Sequence, residues 1–196
     1  MEYTTLSNGV KMPMLGYGVY QVGAAECERC VLDALKAGYR AIGISNFYPD
    51  RMVDLASFAR IRPMVNQVET HPLNQQKTAK QWMEKYGVQI EAWAPFGEGR
   101  GEMFTNPVLA AIGARYGKTV AQVILRWHLQ RGVVVIPKST HFARMQENLN
   151  VFDFTLTESD MAAIAALDKA ESAFFSHTDP AMVEWFVKMV EERKGK

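Results

Sequence analysis

Polar and aromatic side chains recur where the apolar runs of this chain stop. Ser45-Asn46 follows the second predicted strand and Asn66-Gln67 ends the third; Trp93 follows the fourth and Lys138-Ser139 the fifth. Ser, Asn and Gln side chains supply the paired donors and acceptors that hold a carboxamide. An indole stacks on a flat heteroaromatic ring. Pro137-Lys138-Ser139-Thr140 leads into a predicted helix carrying Arg144 and Asn148. A lysine, an arginine and the free N–H groups of a helix start together favour an anion. Each residue also has a structural reading. Ser45 and Asn46 could cap a helix, Gln67 could satisfy buried backbone, Trp93 could be core, and Lys138 and Arg144 could be solvated. Their common place on one rim favours a single nucleotide ligand, because α/β proteins bind ligands outside the carboxyl ends of their strands.

The elements that must position these residues read as repeated βα units. Strands are expected near residues 15, 42, 65, 90 and 134, and an Asn8-Gly9 hairpin opens the chain. Helices are expected over 26–37, 49–59, 75–86, 106–116, 120–130, 142–150, 157–167 and 181–193. Pro49 suits a first turn and Thr157-Glu158-Ser159-Asp160 a capping box. Val133 to Ile136 is four consecutive β-branched residues, which predicts a fully buried strand. The Gly97–Gly101 segment reads as a mobile loop. The pattern predicts a parallel sheet with right-handed crossovers in a single domain spanning residues 1–196.

Composition narrows the function classes. The chain has 196 residues, 48% apolar and 22% charged, with a net charge of +1. That balance offers no basic field for nucleic acid. No apolar run approaches a membrane span, and Met1-Glu2-Tyr3-Thr4-Thr5 has no signal-peptide core. A cytoplasmic location is the expectation. Cys27 and Cys30 form a C-x-x-C, read as two thiols on one helix face rather than a redox or zinc pair. Gly16-Tyr17-Gly18 lacks the third glycine of a dinucleotide fingerprint, since Gln21 stands there. His71 reads as a buried histidine bonded to neighbouring backbone. The four histidines share no metal-ligand spacing, and no metal is expected.

These motifs resemble the aldo-keto reductase family over nearly the whole chain. Leu15-Gly16-Tyr17-Gly18-Val19-Tyr20 looks like its first barrel strand, and Gly43-Ile44-Ser45-Asn46-Phe47 matches G-x-S-N-F. Asn66-Gln67-Val68-Glu69-Thr70-His71-Pro72 matches N-Q-x-E-x-H-P. Ala92-Trp93-Ala94-Pro95-Phe96 is similar to the strand whose aromatic stacks on nicotinamide. Ile136-Pro137-Lys138-Ser139 with Arg144, Glu147 and Asn148 matches the phosphate motif. The nearest type is the bacterial 2,5-diketo-D-gluconate reductase-like group. The resemblance implies a (β/α) TIM-type barrel and NADPH-dependent reduction of small aldehydes and ketones. It implies that Ser45, Asn46 and Gln67 hold the carboxamide and that Trp93, in a motif with Phe96, stacks on the ring. Lys138, Ser139, Arg144 and Asn148 would hold the 2′-phosphoadenosine end, and Tyr20 would line the substrate mouth.

The chain departs from the family at one point. The family's chemistry needs an Asp, a Tyr, a Lys and a His, and none of their sequence contexts occurs here. Gly38-Tyr39-Arg40 runs directly into Ala41-Ile42-Gly43. At roughly 31 residues per βα unit, about three units are missing between Arg40 and Ala41. The expected fold is therefore an incomplete barrel of about five parallel strands, open or completed by self-association. The resemblance implies a chain inactive or severely impaired in carbonyl reduction, with NADPH binding weak or lost. Tyr48, just past the junction, is the nearest replacement phenol, and no catalytic residue is assigned. The alternatives are a non-catalytic interaction or self-associating protein, or a deletion product without evolved function.

Overall fold

A computed structural model describes residues 3–5, 11–13, 24–36 and 43–194. The strand expected near residue 15, Tyr20, the Asn8-Gly9 turn and the Arg40/Ala41 junction lie outside the described residues. The chain divides into two compact units, Gly43–Ala173 and Met1–Ile42 with Phe174–Lys196.

In the first unit four strands form one parallel sheet. They are β3 (Gly43–Ser45), β4 (Val65–Glu69), β5 (Gln89–Trp93) and β6 (Val134–Val135), side by side in that order. The connections are helical: α2 (Pro49–Phe58), α3 (Lys77–Tyr86), and the pair α4 (Pro107–Tyr116) and α5 (Val120–Gln130). Residues alternate between faces with the period of two that a pleated strand imposes. Val68, Ile90 and Ala92 point to the helices and bury against Met52 and Ala56 of α2 and Ala79 and Met83 of α3. Gly43, Ser45, Val65, Gln67, Glu91 and Trp93 alternate with them and stay half-buried or exposed. This second face carries Ser45, Gln67 and Trp93 among the residues singled out by sequence. A second core joins α4, α5 and α7 (Glu158–Ala165) through Leu109, Ile112, Val123, Ile124, Trp127 and Ile164.

Local chemistry sets the helix ends. Pro49 opens α2 with Tyr48 as its N-cap. Asn106 caps α4 through the N–H groups of Val108 and Leu109, and both Thr119–Gln122 and Thr157–Asp160 are capping boxes. α3 starts two residues later than its apolar pattern predicts. Gln76 adopts φ 53 and Gln75 spends its amide on the carbonyls of Pro72 and Ile164, so neither residue continues the helix.

Other expectations need correction. β6 spans two residues, and Val134 and Val135 are half-buried rather than fully buried. Among the described residues β5 is its one neighbour, so the second flank that would bury it is not supplied here. The 97–101 segment, expected as a loop, has local structure of its own. It leads through 3₁₀ turns at Gly97–Gly99 and Met103–Thr105, and Met103 is fully buried in the second core. Gly101 has φ +63, and a Cβ there would lie 2.7 Å from a Leu73 methyl.

Two buried titratable groups tie these elements together. His128 of α5 places Nδ1 2.8 Å from the Ile124 carbonyl and Nε2 3.0 Å from that of Thr70, just past β4. Burial is the main cause that lowers its pKa to about 4, against those two carbonyls. Asp160 of α7 is buried, which alone would raise its pKa. Bonds from the Tyr116 hydroxyl, from the hydroxyl and N–H of Thr157 and from Arg115 outweigh burial and bring it to about 2. Both shifts are downward, so both groups stabilise the fold above their unfolded pKa values and lose that contribution as pH falls. For His128 the contribution is on the order of 3 kcal/mol at neutral pH. Stability is expected to decline first between pH 6.5 and about 4, then again from the ordinary Asp range toward about 2. Urea melts across that range check this, and His128→Gln should flatten the upper step.

In the second unit β1 (Tyr3–Thr5) pairs antiparallel with β2 (Lys11–Pro13), as the hairpin pattern predicts. α1 (Ala24–Lys36) carries exposed ion pairs from Arg29 to Glu26 and Asp33, worth little to stability. α8 (Pro180–Lys194) packs Phe186 against Phe175 at 5.1 Å between ring centres. Cys30 is a free, half-buried thiol.

Candidate functional site

Across β3, β4 and β5 the register aligns Ser45, the last residue of β3, with Gln67, and Gln67 with Glu91. The three side chains therefore form a row on the face away from the helices. One pleat further on, Trp93 projects from β5 on the same face. Hydrogen bonds knit the row. The Ser45 hydroxyl donates to the Gln67 carbonyl at 3.1 Å. The Gln67 amide Nε2 donates to the Glu91 carboxylate. Trp93 Nε1 donates to Asn46 Oδ1 at 2.8 Å, and Asn46 Nδ2 donates to Ser45 Oγ at 3.3 Å. Asn46 holds φ 58 while its own N–H bonds the Gln67 carbonyl at 2.9 Å. Asparagine tolerates this left-handed backbone better than most residues, which explains its place where β3 ends.

Asn66, beside Gln67, points to the other face and is fully buried. Its Nδ2 donates to the Phe47 carbonyl at 2.7 Å. It anchors the β3–α2 turn and takes no part in the row. The residues that follow β4 are also structural. His71 is fully buried, accepts from the Leu73 N–H at Nδ1 (3.3 Å) and faces Glu69 through Nε2 (2.9 Å). The sequence reading of His71 as a histidine bonded to nearby backbone agrees with this geometry. Glu69 also accepts from the Ser172 hydroxyl and the Ala173 N–H. Burial alone would raise its pKa, but these donors hold it below its ordinary value.

A pocket of about 560 Å³ opens at the start of α6 (Phe142–Leu149). Phe96, Lys138, Ser139, Arg144 and Asn148 line it, so five of the residues singled out by sequence meet at one cavity. Lys138 and Arg144 are exposed cations, and Ser139 accepts the His141 N–H at 3.1 Å. The N-cap residue of α6, His141, makes no side-chain cap, and among the described residues the first-turn N–H groups have no side-chain acceptor. Thr140 and Glu147 belong to the segments singled out by sequence, whereas sequence reasoning missed Thr119, His141 and Phe104, which share the lining. Thr119 was detectable as a helix cap, but nothing in the sequence showed that the starts of α5 and α6 would converge. Its hydroxyl reaches Glu147, the one carboxylate among the described lining residues. Tyr48 is half-buried, and burial first, then the Glu69 charge, raise its pKa above the ordinary phenol value. Tyr20 lies outside the described residues. Among the described residues no three His, Cys, Asp or Glu side chains are placed to hold a metal.

Residues 30–169 match the Aldo/keto reductase family. The chain is 48% identical over 132 residues to a glyoxal reductase of Bacillus subtilis (strain 168), covering 67% of this chain and 47% of that protein. Among solved structures it is similar to MGS-M4, an aldo-keto reductase enzyme from a Medee basin deep-sea metagenome library. That similarity has a TM-score of 0.74 at 35% identity and covers 84% of this chain and 61% of the other. A mutant of Gox0644 in complex with NADPH aligns with a TM-score of 0.70 at 36% identity, over 77% of this chain and 55% of the other. The chain belongs to the aldo/keto reductase family. It spans about half the length of the curated relatives it matches.

Proposed function

We propose that this chain binds NADP(H) and does not reduce carbonyls at an appreciable rate. The observation that carries the reading is the pairing of two sets of groups within one unit. One is a row of amides and a hydroxyl beside a half-buried indole; the other is a pocket walled by Lys138, Arg144 and an uncapped helix start. The donor sets fit the two ends of the dinucleotide. Ser45, Asn46 and Gln67 would hold the carboxamide and Trp93 would cover the ring. Lys138, Ser139, Arg144 and Asn148 would hold the 2′-phosphoadenosine end with Phe96 beside it. Tyr20 would line the substrate mouth. A similar structure solved in complex with NADPH supports the choice of cofactor.

Bound nicotinamide supplies the hydride for carbonyl reduction. The protein must then deliver a proton to the carbonyl oxygen, and a tyrosine tuned by a Lys–Asp pair does so in the family. The contexts of those residues are missing between Arg40 and Ala41, which supports an internal loss of about three βα units. Tyr48 is the nearest phenol, but burial and Glu69 make it a weaker acid than free tyrosine, the opposite of what a donor needs. Tryptophan quenching by NADPH, followed by addition of a small aldehyde or dicarbonyl, tests both halves. Saturable quenching with no loss of nicotinamide absorbance is expected. Absence of quenching contradicts binding, and turnover abolished by Tyr48→Phe contradicts inactivity.

A second role, self-association through sheet edges, is favoured by β3 and β6 each having one neighbour among the described residues. Sedimentation showing only monomer at high protein concentration would dismiss it.

A further inference from the structure

We propose that Glu91 and Trp93 are positioning residues that set the hydrogen-bond polarity of the carboxamide site. The inference rests on the NADP(H) reading above and adds how that site tells one end of an amide from the other.

A primary amide is ambiguous on its own, since its oxygen accepts, its nitrogen donates, and rotation by half a turn exchanges them. The row removes this ambiguity for both of its amides. An ionised carboxylate only accepts. Glu91 accepts from Gln67, so Gln67 must turn Nε2 to Glu91 and leaves Oε1 outward as an acceptor. An indole N–H only donates. Trp93 donates to Asn46, so Asn46 must turn Oδ1 to Trp93 and leaves Nδ2 to donate. One Nδ2 hydrogen points to Ser45 Oγ and the other remains for a ligand. The Ser45 proton is spent on the Gln67 carbonyl, so Ser45 Oγ offers a ligand its remaining lone pair. The row therefore presents one donor, from Asn46, and two acceptors, from Gln67 and Ser45. A carboxamide has the complement: a C=O for the donor and an NH₂ for the acceptors.

Glu91 and Trp93 stand two residues apart on β5 and share its ligand-side face. One strand thus orients both amides, Gln67 on the adjacent strand β4 and Asn46 just past β3, one strand further away. Glu91 reaches no ligand in this arrangement and acts through Gln67. Trp93 has two separable roles, its ring face toward the ligand and its N–H toward Asn46.

The test uses the full chain with two probes. NADPH carries the carboxamide, and 2′-phospho-ADP-ribose is the same dinucleotide without its nicotinamide. Glu91→Gln is nearly isosteric but lets Gln67 turn either way. It should weaken NADPH roughly three- to tenfold, the range of one net hydrogen bond, and leave 2′-phospho-ADP-ribose unchanged. In a Gln67→Ala background Glu91→Gln should have no further effect, and Trp93→Phe should lose part of its effect in an Asn46→Ala background. The acetylpyridine analogue, which lacks the NH₂, should bind more weakly than the carboxamide form to the unmodified chain, and Glu91→Gln should narrow that gap. Unchanged NADPH affinity in Glu91→Gln would overturn the proposal, as would equal loss of both probes or additivity with Gln67→Ala. If the unmodified chain binds neither probe, the NADP(H) reading itself fails and takes the proposal with it.

Discussion

Arg144→Ala is expected to weaken NADPH binding by roughly ten- to a hundredfold while changing NADH binding little. Arg144 lines the pocket at the start of α6, beside Lys138 and Ser139. A charge-assisted hydrogen bond to phosphate contributes about 1.5–3 kcal/mol, which sets that range. The guanidinium matches phosphate with two parallel N–H groups, so Arg144→Lys should recover only part of the loss. The arginine is exposed, and its contribution should fall as salt rises. NADH lacks the 2′-phosphate and makes the measurement specific. Equal losses for the two dinucleotides would place Arg144 elsewhere in the binding mode. Removing an exposed side chain that caps nothing should leave the melting temperature within a few degrees, so loss of binding will not reflect unfolding.

Glu69→Ala should have the largest effect on stability, about 3–5 kcal/mol. The carboxylate is almost wholly buried at the end of β4. It takes hydrogen bonds from the Ala173 N–H at 2.8 Å and the Ser172 hydroxyl, and faces His71 Nε2 at 2.9 Å. Since His71 Nδ1 accepts the Leu73 N–H, Nε2 carries the proton and donates to Glu69. Truncation would remove the acceptor of the buried His71 Nε2–H and of the half-buried Ser172 hydroxyl and Ala173 N–H, and open a cavity. Glu69→Gln keeps the volume and one acceptor oxygen and can donate its NH₂ to the Ser172 oxygen. It should therefore cost clearly less than alanine. Denaturant melts of the two variants check the order. A Glu69→Ala protein as stable as the unmodified chain would contradict the geometry. The Glu69 pKa is held down, so its contribution is present above the ordinary Glu range and is lost as pH falls below it.

Much of the fold was legible because local chemistry and tertiary packing agree at most elements. Pro49, Asn106 and the Thr157–Asp160 box mark helix starts that the structure places there or one residue away. The strands near 65 and 90 were expected and are found as β4 and β5, whose burial alternates from residue to residue. The misses arise where long-range contacts overrule local pattern. Gln75 and Gln76 read as the start of α3, yet their amides bond the carbonyls of Ile164 and Glu69, residues distant in sequence or outside the helix. Val133–Ile136 read as a buried strand from β-branching alone, but burial depends on flanking strands that the stretch cannot encode.

The candidate site divides in the same way. Ser45, Gln67 and Lys138 were visible as polar residues where apolar runs stop, and Arg144 as a cation on the helix that follows. Glu91 was missed, although it stands two residues before Trp93 and the period of a strand places both on one face. Its partner Gln67 lies on another strand, and only the register Gln67 to Glu91 brings them together. Glu147 and Thr119 were likewise invisible as neighbours, being on different helices that meet at the pocket.

The central claim, cofactor binding without carbonyl reduction, is tested most directly in one cuvette. NADPH is titrated into the full chain while nicotinamide fluorescence reports binding, and a small dicarbonyl is then added at saturation. The account predicts a saturable fluorescence change that NADH reproduces only at much higher concentration, and no decline after the dicarbonyl. No saturable change, or a sustained catalytic decline after the dicarbonyl, would contradict it.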